Sequence, residues 1–183
     1  MVIYFTGRQS HIAQIAAVSG KETFSRYVIP KVPIQKQAAE VTGLTMDQDQ
    51  MYFNGQPVQA VPIKQALHDF LDFVGEDSVV LVGHNIKVFD CHVLLNALKN
   101  NDMLENFTNH VSVFIDTLPL FREALQGLTS YKQENLVKHV MGNAFEYGAH
   151  NAINDVKALQ KLLNHVGCND ELMMKHSFRV SYV

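Results

Sequence analysis

Asp155 and His150 are the residues whose types and spacing most directly suggest chemistry. They lie in the run His150-Asn-Ala-Ile-Asn-Asp155-Val-Lys-Ala-Leu, which opens a predicted helix. Leu159, Leu162, Leu163 and Val166 follow at i, i+3, i+4 and i+7, so one face of that helix is apolar and turned to a core. Asp155 then falls about one turn from the helix start, with His150 in the loop just before it. An imidazole that moves a proton, beside a carboxylate that holds a metal, forms a hydrolytic pair. The competing reading is a surface histidine and a first-turn aspartate favoured by the helix dipole.

A second group surrounds Val79-Val-Leu-Val82, an all-apolar run of the kind found in central parallel strands. Gly83-His84-Asn85 follows it, and Asp90 opens the next predicted helix. Open α/β sheets bind ligands at the carboxyl ends of their strands, and that rule brings Thr6-Gly7, His84, Asn85, Asp90 and Asp116 to one rim. Each also has a structural reading. Asp90 would serve as an ordinary helix-start acid, His84 as a loop histidine and Asn85 as a turn former. Asp116 would cap the helix after it.

The elements that must position these residues follow from the pattern of the chain. Val2 to Phe5, His11 to Val18 and Thr23 to Ile29 read as three strands with short links, an antiparallel start to a sheet. Ala38 to Thr45 suits a short helix and a turn at Gly43, and Met51 to Pro57 reads as a loop punctuated by Asn54-Gly55. Leu67, Phe70, Leu71 and Val74 carry a helical stripe that Gly75 ends. Phe89 to Leu98 is predicted helical and Val111 to Ile115 a strand. Helices follow at Pro119 to Leu125, Tyr131 to Met141 and Asn151 to Val166, and Phe178 to Val183 is read as an edge strand. Alternation of strand and helix after an antiparallel start predicts a three-layer α/β domain.

The chain has 183 residues, 47% hydrophobic and 18% charged, which fits a single folded domain over 1–183, with 166–183 as a C-terminal extension. A net charge of −3 argues against a protein that coats nucleic acid broadly, but leaves room for one that grips a few nucleotides. Two distant cysteines, Cys91 and Cys168, indicate neither a disulfide framework nor a Cys-rich zinc site. With no membrane-length apolar run and no signal-peptide pattern, the expected setting is intracellular, nuclear or cytoplasmic, with no membrane partner.

Taken together, these segments resemble a known family. Val82-Gly-His-Asn-Ile-Lys-Val-Phe-Asp90 is similar to the second signature of the DnaQ-like DEDDh 3′–5′ exonucleases, and His150-x4-Asp155 to the third. Ile115-Asp116-Thr117-Leu118 and the run from Gly127 to Leu136 resemble the segments between them. Ile12 to Val18 and Val41 to Thr45 resemble the second strand and the turn after the third. The wording of the second and third signatures is most similar to the exonuclease-like C-terminal region of promyelocytic leukaemia (PML) proteins.

The resemblance implies a ribonuclease H-like fold with a mixed five-stranded central sheet. It also implies cleavage of a nucleic-acid 3′ end, expected to be single-stranded, by two Mg2+ or Mn2+ ions. Asp90 and Asp155 match the second and third acidic positions and would be metal ligands. His150 would be the proton acceptor, and Thr6, Gly7, His84 and Asn85 would seat the terminal nucleotide. The first signature, Asp-x-Glu-Thr, is missing. Val-Ile-Tyr-Phe5 runs straight into Thr6-Gly7, as if four residues had been cut out; a gapless reading instead puts Val2 and Tyr4 in the acidic positions. Two divalent ions about 4 Å apart repel by roughly 17 kcal/mol at an effective dielectric of about 20. Two remaining carboxylates do not balance that charge. The expectation is a weakly active or inactive exonuclease domain, or a non-catalytic nucleic-acid- or protein-binding module on the same fold.

Overall fold

The structure is a computed structural model describing residues 1–6, 11–145 and 147–180, with the backbone alone for 3–6. Three strands open the chain: β1 (Val2–Thr6), β2 (Gln14–Ser19) and β3 (Glu22–Val28). They pair antiparallel in sequence, Val2 opposite Val18 and Ile15 opposite Arg26, as their short links require. Helix α1 (Lys36–Thr42) ends at Gly43, whose φ of 70° is the left-handed conformation a helix C-terminus uses. Next come β4 (Leu44–Asp47), β5 (Gln50–Phe53) and β6 (Gln56–Val58), a separate three-stranded antiparallel sheet.

The expected loop at Met51 to Pro57 is therefore a hairpin. Asn54 and Gly55, with φ of 50° and 77°, form a two-residue turn whose twist matches the strands it joins. The dipeptide was the visible signal, but the flanking strands are too short and too mixed in composition to show an alternation.

Strand β7 (Ala60–Val61), helix α2 (Ile63–Val74), β8 (Val79–Gly83) and α3 (Asp90–Lys99) follow. Then come α4 (Leu104–His110), β9 (Val111–Asp116), α5 (Thr117–Ala124), α6 (Gln133–Met141), α7 (Ala152–Val166), α8 (Asp170–Lys175) and β10 (Ser177–Arg179). The main sheet is mixed and seven-stranded, ordered β10-β9-β8-β1-β2-β3-β7, rather than five-stranded. The difference lies at its edges: β7 has two residues, too few to show periodicity in sequence, and β10 is the edge strand expected from Phe178, shortened to three residues with 181–183 outside the described residues. β1, β8 and β9 run parallel at the centre, Val2 beside Val82 and Gly83 beside Asp116.

Helices cover both faces. Ala66, Leu67, Phe70 and Val74 of α2 pack with Leu94 and Leu98 of α3 and Phe107 of α4 on one side. On the other, Leu120 and Phe121 of α5, Leu136 and Val137 of α6, and Val156, Leu159 and Leu162 of α7 pack on Val2, Ala16 and Val18. All these side chains are buried. At about 1.5–3 kcal/mol for each large apolar side chain withdrawn from water, the two clusters fix the three-layer arrangement. Cys91 is buried, Cys168 half-buried, and both are free thiols. Among the described residues no helix is long and apolar enough to cross a membrane.

Candidate functional site

Because β1, β8 and β9 are parallel, their C-terminal ends lie at one rim, and the predicted residues collect there in two groups on either side of β1. The first hangs from β8. Gly83 ends the strand with no room for a side chain: a Cβ would come within 2.7 Å of Ile86 Cδ1. The chain then turns through Asn85, whose φ of 57° is one that Asn tolerates better than most residues.

Asp116, at the end of β9, holds this turn. Its Oδ1 accepts from the backbone N–H groups of Asn85 and Leu118, each at 2.9 Å, and its Oδ2 from Lys87 N–H at 3.2 Å. The helix cap expected of Asp116 is present, and the same carboxylate also pins the neighbouring loop. His84 Nε2 lies 2.8 Å from the Tyr131 carbonyl, and Nδ1 lies 2.9 Å from Thr117 Oγ1. A carbonyl only accepts, so Nε2 carries the proton and Nδ1 takes the Thr117 hydroxyl hydrogen. Burial lowers the His84 pKa, which keeps the ring neutral. Both ring nitrogens are occupied within the protein. Asp90, at the first position of α3, is half-buried. Its carboxyl is pushed up to about 7, first by burial and then by the negative charge of Asp116.

The second group sits at the start of α7. Gln14, a buried polar residue on β2, accepts from Ala152 N–H at 3.0 Å through Oε1 and donates through Nε2 to Ser25 Oγ and Asn151 Oδ1. Asn151 caps α7 by accepting from Ile153 N–H, and it donates to the Tyr27 hydroxyl. Strands β2 and β3 are thereby tied to the helix that carries Asp155.

Asp155 is 3% exposed, and its Oδ2 has no hydrogen-bond partner. Burial pushes its carboxyl up to about 7, Glu134 adds to the shift, and a hydrogen bond from the His150 backbone N–H opposes it. Gln133 donates to the Asp155 carbonyl at 2.9 Å, and its Oε1 and the Tyr147 hydroxyl are both buried. His150, at φ 66°, turns its imidazole to Glu134, with Nε2 3.0 Å from Oε1.

His150 and Asp155 are thus joined through the backbone, while the imidazole belongs to a His150–Glu134 pair. The carboxylate that acts on Asp90 is Asp116, and the one that acts on Asp155 is Glu134. Thr6, the last residue of β1, pairs with Gln14 directly below the α7 start. Gly7 lies outside the described residues.

Sequence reasoning missed Gln14, Gln133, Glu134, Tyr147 and Asn151. Two had a signal: Gln14 interrupts an all-apolar buried strand, and Gln133 stands three residues before Leu136 on the apolar stripe of α6.

These donors do not fit a two-ion centre. Asp155 Oδ2 is a free hard oxygen donor, but among the described residues no three His, Cys, Asp or Glu side chains gather closely enough to hold a metal. Val2 occupies the central strand β1, buried against α7.

A three-layer α/β architecture with its strand ends converging on this rim is the fold of known exonucleases. The structure matches exonuclease I in its apo form with a TM-score of 0.71 at 19% identity, covering 95% of this chain and 43% of that one. It matches exonuclease X in complex with 5′ overhanging duplex DNA at 0.59 and 21%, covering 95% and 96%. E. coli exonuclease I in complex with a dA16 oligonucleotide matches at 0.68 and 20%, covering 95% and 42%.

The family model described as Exonuclease (RNase_T) matches residues 5–163, and the chain belongs to that family. A DNA polymerase III PolC-type from Clostridium perfringens is 34% identical over 164 residues, 87% of this chain and 10% of that protein. The maternal protein exuperantia of Drosophila virilis is 27% identical over 149 residues, 73% of this chain and 31% of that protein. The chain therefore spans between a tenth and a third of the length of these relatives.

Proposed function

We propose that this chain is a single DEDDh-type exonuclease domain that seats a single-stranded nucleic-acid 3′ end at the Asp90–Asp155 rim and hydrolyses it weakly or not at all. The observation that carries this reading is Val2. It lies beside Val82 and opposite Val18, buried among Val156 and Leu159 of α7, so an apolar side chain stands where the gapless reading puts the family's first acid. Tyr4, two residues on, pairs with Ala16. In the gapless reading Val2 and Tyr4 replace the two acids; in the excision reading a four-residue block carrying both is lost between Phe5 and Thr6. The wording of the remaining signatures supports kinship with the PML exonuclease-like region, and two free thiols suit a reducing, intracellular setting.

Asp90 and Asp155 are the ligands left for Mg2+ or Mn2+, and they would hold at most one ion loosely. Asn85, Thr6, Gly7 and the His84 loop would seat the terminal nucleotide. In a metal-competent relative of this chain, His150 would take the proton from water, with Glu134 orienting it.

The test uses 5′-labelled single strands of DNA and RNA with Mn2+. The chain is expected to bind strands ending in a 3′-hydroxyl more tightly than strands ending in a 3′-phosphate, and to leave both intact. Val2→Asp with Tyr4→Glu is expected to start shortening from the 3′ end, and adding His150→Ala to stop it. If only insertion of Asp-Leu-Glu-Thr between Phe5 and Thr6 restores shortening, the excision reading replaces the gapless one. Rapid shortening by the unaltered chain, or failure of both repaired forms to bind Mn2+, would sink the proposal.

A further inference from the structure

Beyond the rim, the loop from His84 to Phe89 borders an open groove of about 670 Å3 lined by Lys87, Val113, Met174, Ser177, Phe178 and Arg179. It lies at the β10 edge of the sheet and shares no side chain with the Asp90 and Asp155 groups. Its charges set it apart in a chain of net charge −3. Lys175 and His176 nearby both meet Glu123, at 2.6 and 2.9 Å. Lys87 and Arg179 are exposed, and among the described residues neither meets a carboxylate. Lys87 Nζ stands 5.3 Å over the Phe178 ring, which is itself stacked on Phe114 at 5.5 Å, so the ammonium has a fixed seat on an aromatic platform. Between this groove and Asp90 lie Val88 and Phe89, 58% and 64% exposed, with Met174 at 52% on the far bank.

We infer that this groove is a second binding site, one that takes the phosphates of a single strand 5′-ward of the nucleotide at the rim. The inference rests on the exonuclease-domain reading and extends it from one nucleotide to a track. Two cations lining one groove, with exposed Val88, Phe89 and Met174 beside them, are the chemistry that single-stranded nucleic acid calls for: charge for the backbone and apolar surface for the bases. A protein strand added to the outer edge of β10 would use backbone groups and leave both cations unused, so the charges favour nucleic acid over a partner protein. The chain of contacts is continuous, because the loop that presents Lys87 is the loop that Asp116 pins beside Asp90.

The experiment compares the full chain with the double variant Lys87→Gln/Arg179→Gln, using oligothymidylates of two and roughly twelve residues across a salt series. Each phosphate contact on a single strand contributes about 0.7 to the slope of log affinity against log salt. The double variant is therefore expected to bind the longer strand about tenfold more weakly, with a slope reduced by about 1.4, while binding of the dinucleotide is unchanged. Lys64→Gln/Lys99→Gln removes the same charge from α2 and α3 and is expected to leave the longer strand's affinity within about twofold. Equal loss in the two double variants would mean diffuse attraction and would overturn the track. Unchanged binding by Lys87→Gln/Arg179→Gln would also overturn it, leaving the rim reading standing. A parent chain that binds neither strand would remove the rim reading and the track together.

Discussion

Asp155 carries a carboxyl that burial pushes to about 7, against an ordinary value of 3.8, so the folded chain holds a proton that the unfolded chain has released. A group shifted upward in this way contributes its full stability below about pH 3.8 and loses it as pH rises towards 7. About three pKa units at about 1.4 kcal/mol each make the whole effect roughly 4 kcal/mol, most of it lost between pH 4 and pH 7, with about 2.5 kcal/mol of it still to lose above pH 5. Asp155→Asn keeps the shape and removes the titration. The parent is expected to lose thermal stability from pH 5 to pH 8, and the variant to lose at least 5 °C less, roughly what a few kcal/mol produces in a domain of this size. Melting curves that run parallel across that range would mean the carboxyl is already ionised at pH 5. At this scale the sequence was informative about identity and poor about partnership. The places of Asp90 and Asp155 in the first turns of α3 and α7, and of His150 just before α7, were legible from type and spacing. The His150–Glu134 pair was not, because a contact between α6 and the loop before α7 leaves no local pattern in either segment.

The same distinction holds one level up. The three opening strands, the parallel β8 and the amphipathic α2, α3 and α7 were legible because periodicity and turn residues are local signals. The hairpin at Asn54-Gly55, helices α4 and α8 and the edge strand β7 were not, being short elements fixed by what they pack on, whereas the edge strand expected from Phe178 is present as β10, with 181–183 outside the described residues. The tie between β2 and α7 is the clearest case. Gln14 and Asn151 are distant in sequence, yet Gln14 supplies the acceptor for Ala152 N–H and a donor for the Asn151 cap. Gln14→Ala leaves that buried N–H unsatisfied, which costs about 1–3 kcal/mol. The expected result is a lower melting temperature together with faster hydrogen exchange at the first amides of α7, while the α2 amides keep their protection. A uniform rise in exchange across the chain would mean that Gln14 supports the whole core rather than the helix start.

For the molecule as a whole, the question is whether the last residues are an extension or part of the domain. The contacts say part. Phe178 stacks on Phe114, the Asp116 N–H is accepted by the His176 carbonyl at 3.2 Å, and Ser177 to Arg179 pair with Ile115 to Val113 along β9. Removing everything after Gly167 would uncover the ring of Phe114 and turn β9, the strand that ends in Asp116, into an open edge. Unpaired, flat and apolar strand edges recruit other chains, so the loss is one of solubility as well as stability. Losing that aromatic contact, the three-residue ladder and the packing of Leu172 and Met173 on the second core costs at least about 2–3 kcal/mol, a fall of at least roughly 4 °C in melting temperature. The truncated chain is also expected to self-associate with rising concentration, which light scattering would register. The edge is coupled to the rim because Asp116 holds the Asn85 loop, and a β9 that frays should release that loop as well. Limited proteolysis between Gly83 and Asp90 is therefore expected to accelerate in the truncated form. A truncated chain that stays monomeric, melts with the parent and resists cutting there would make residues 168–183 an appendage.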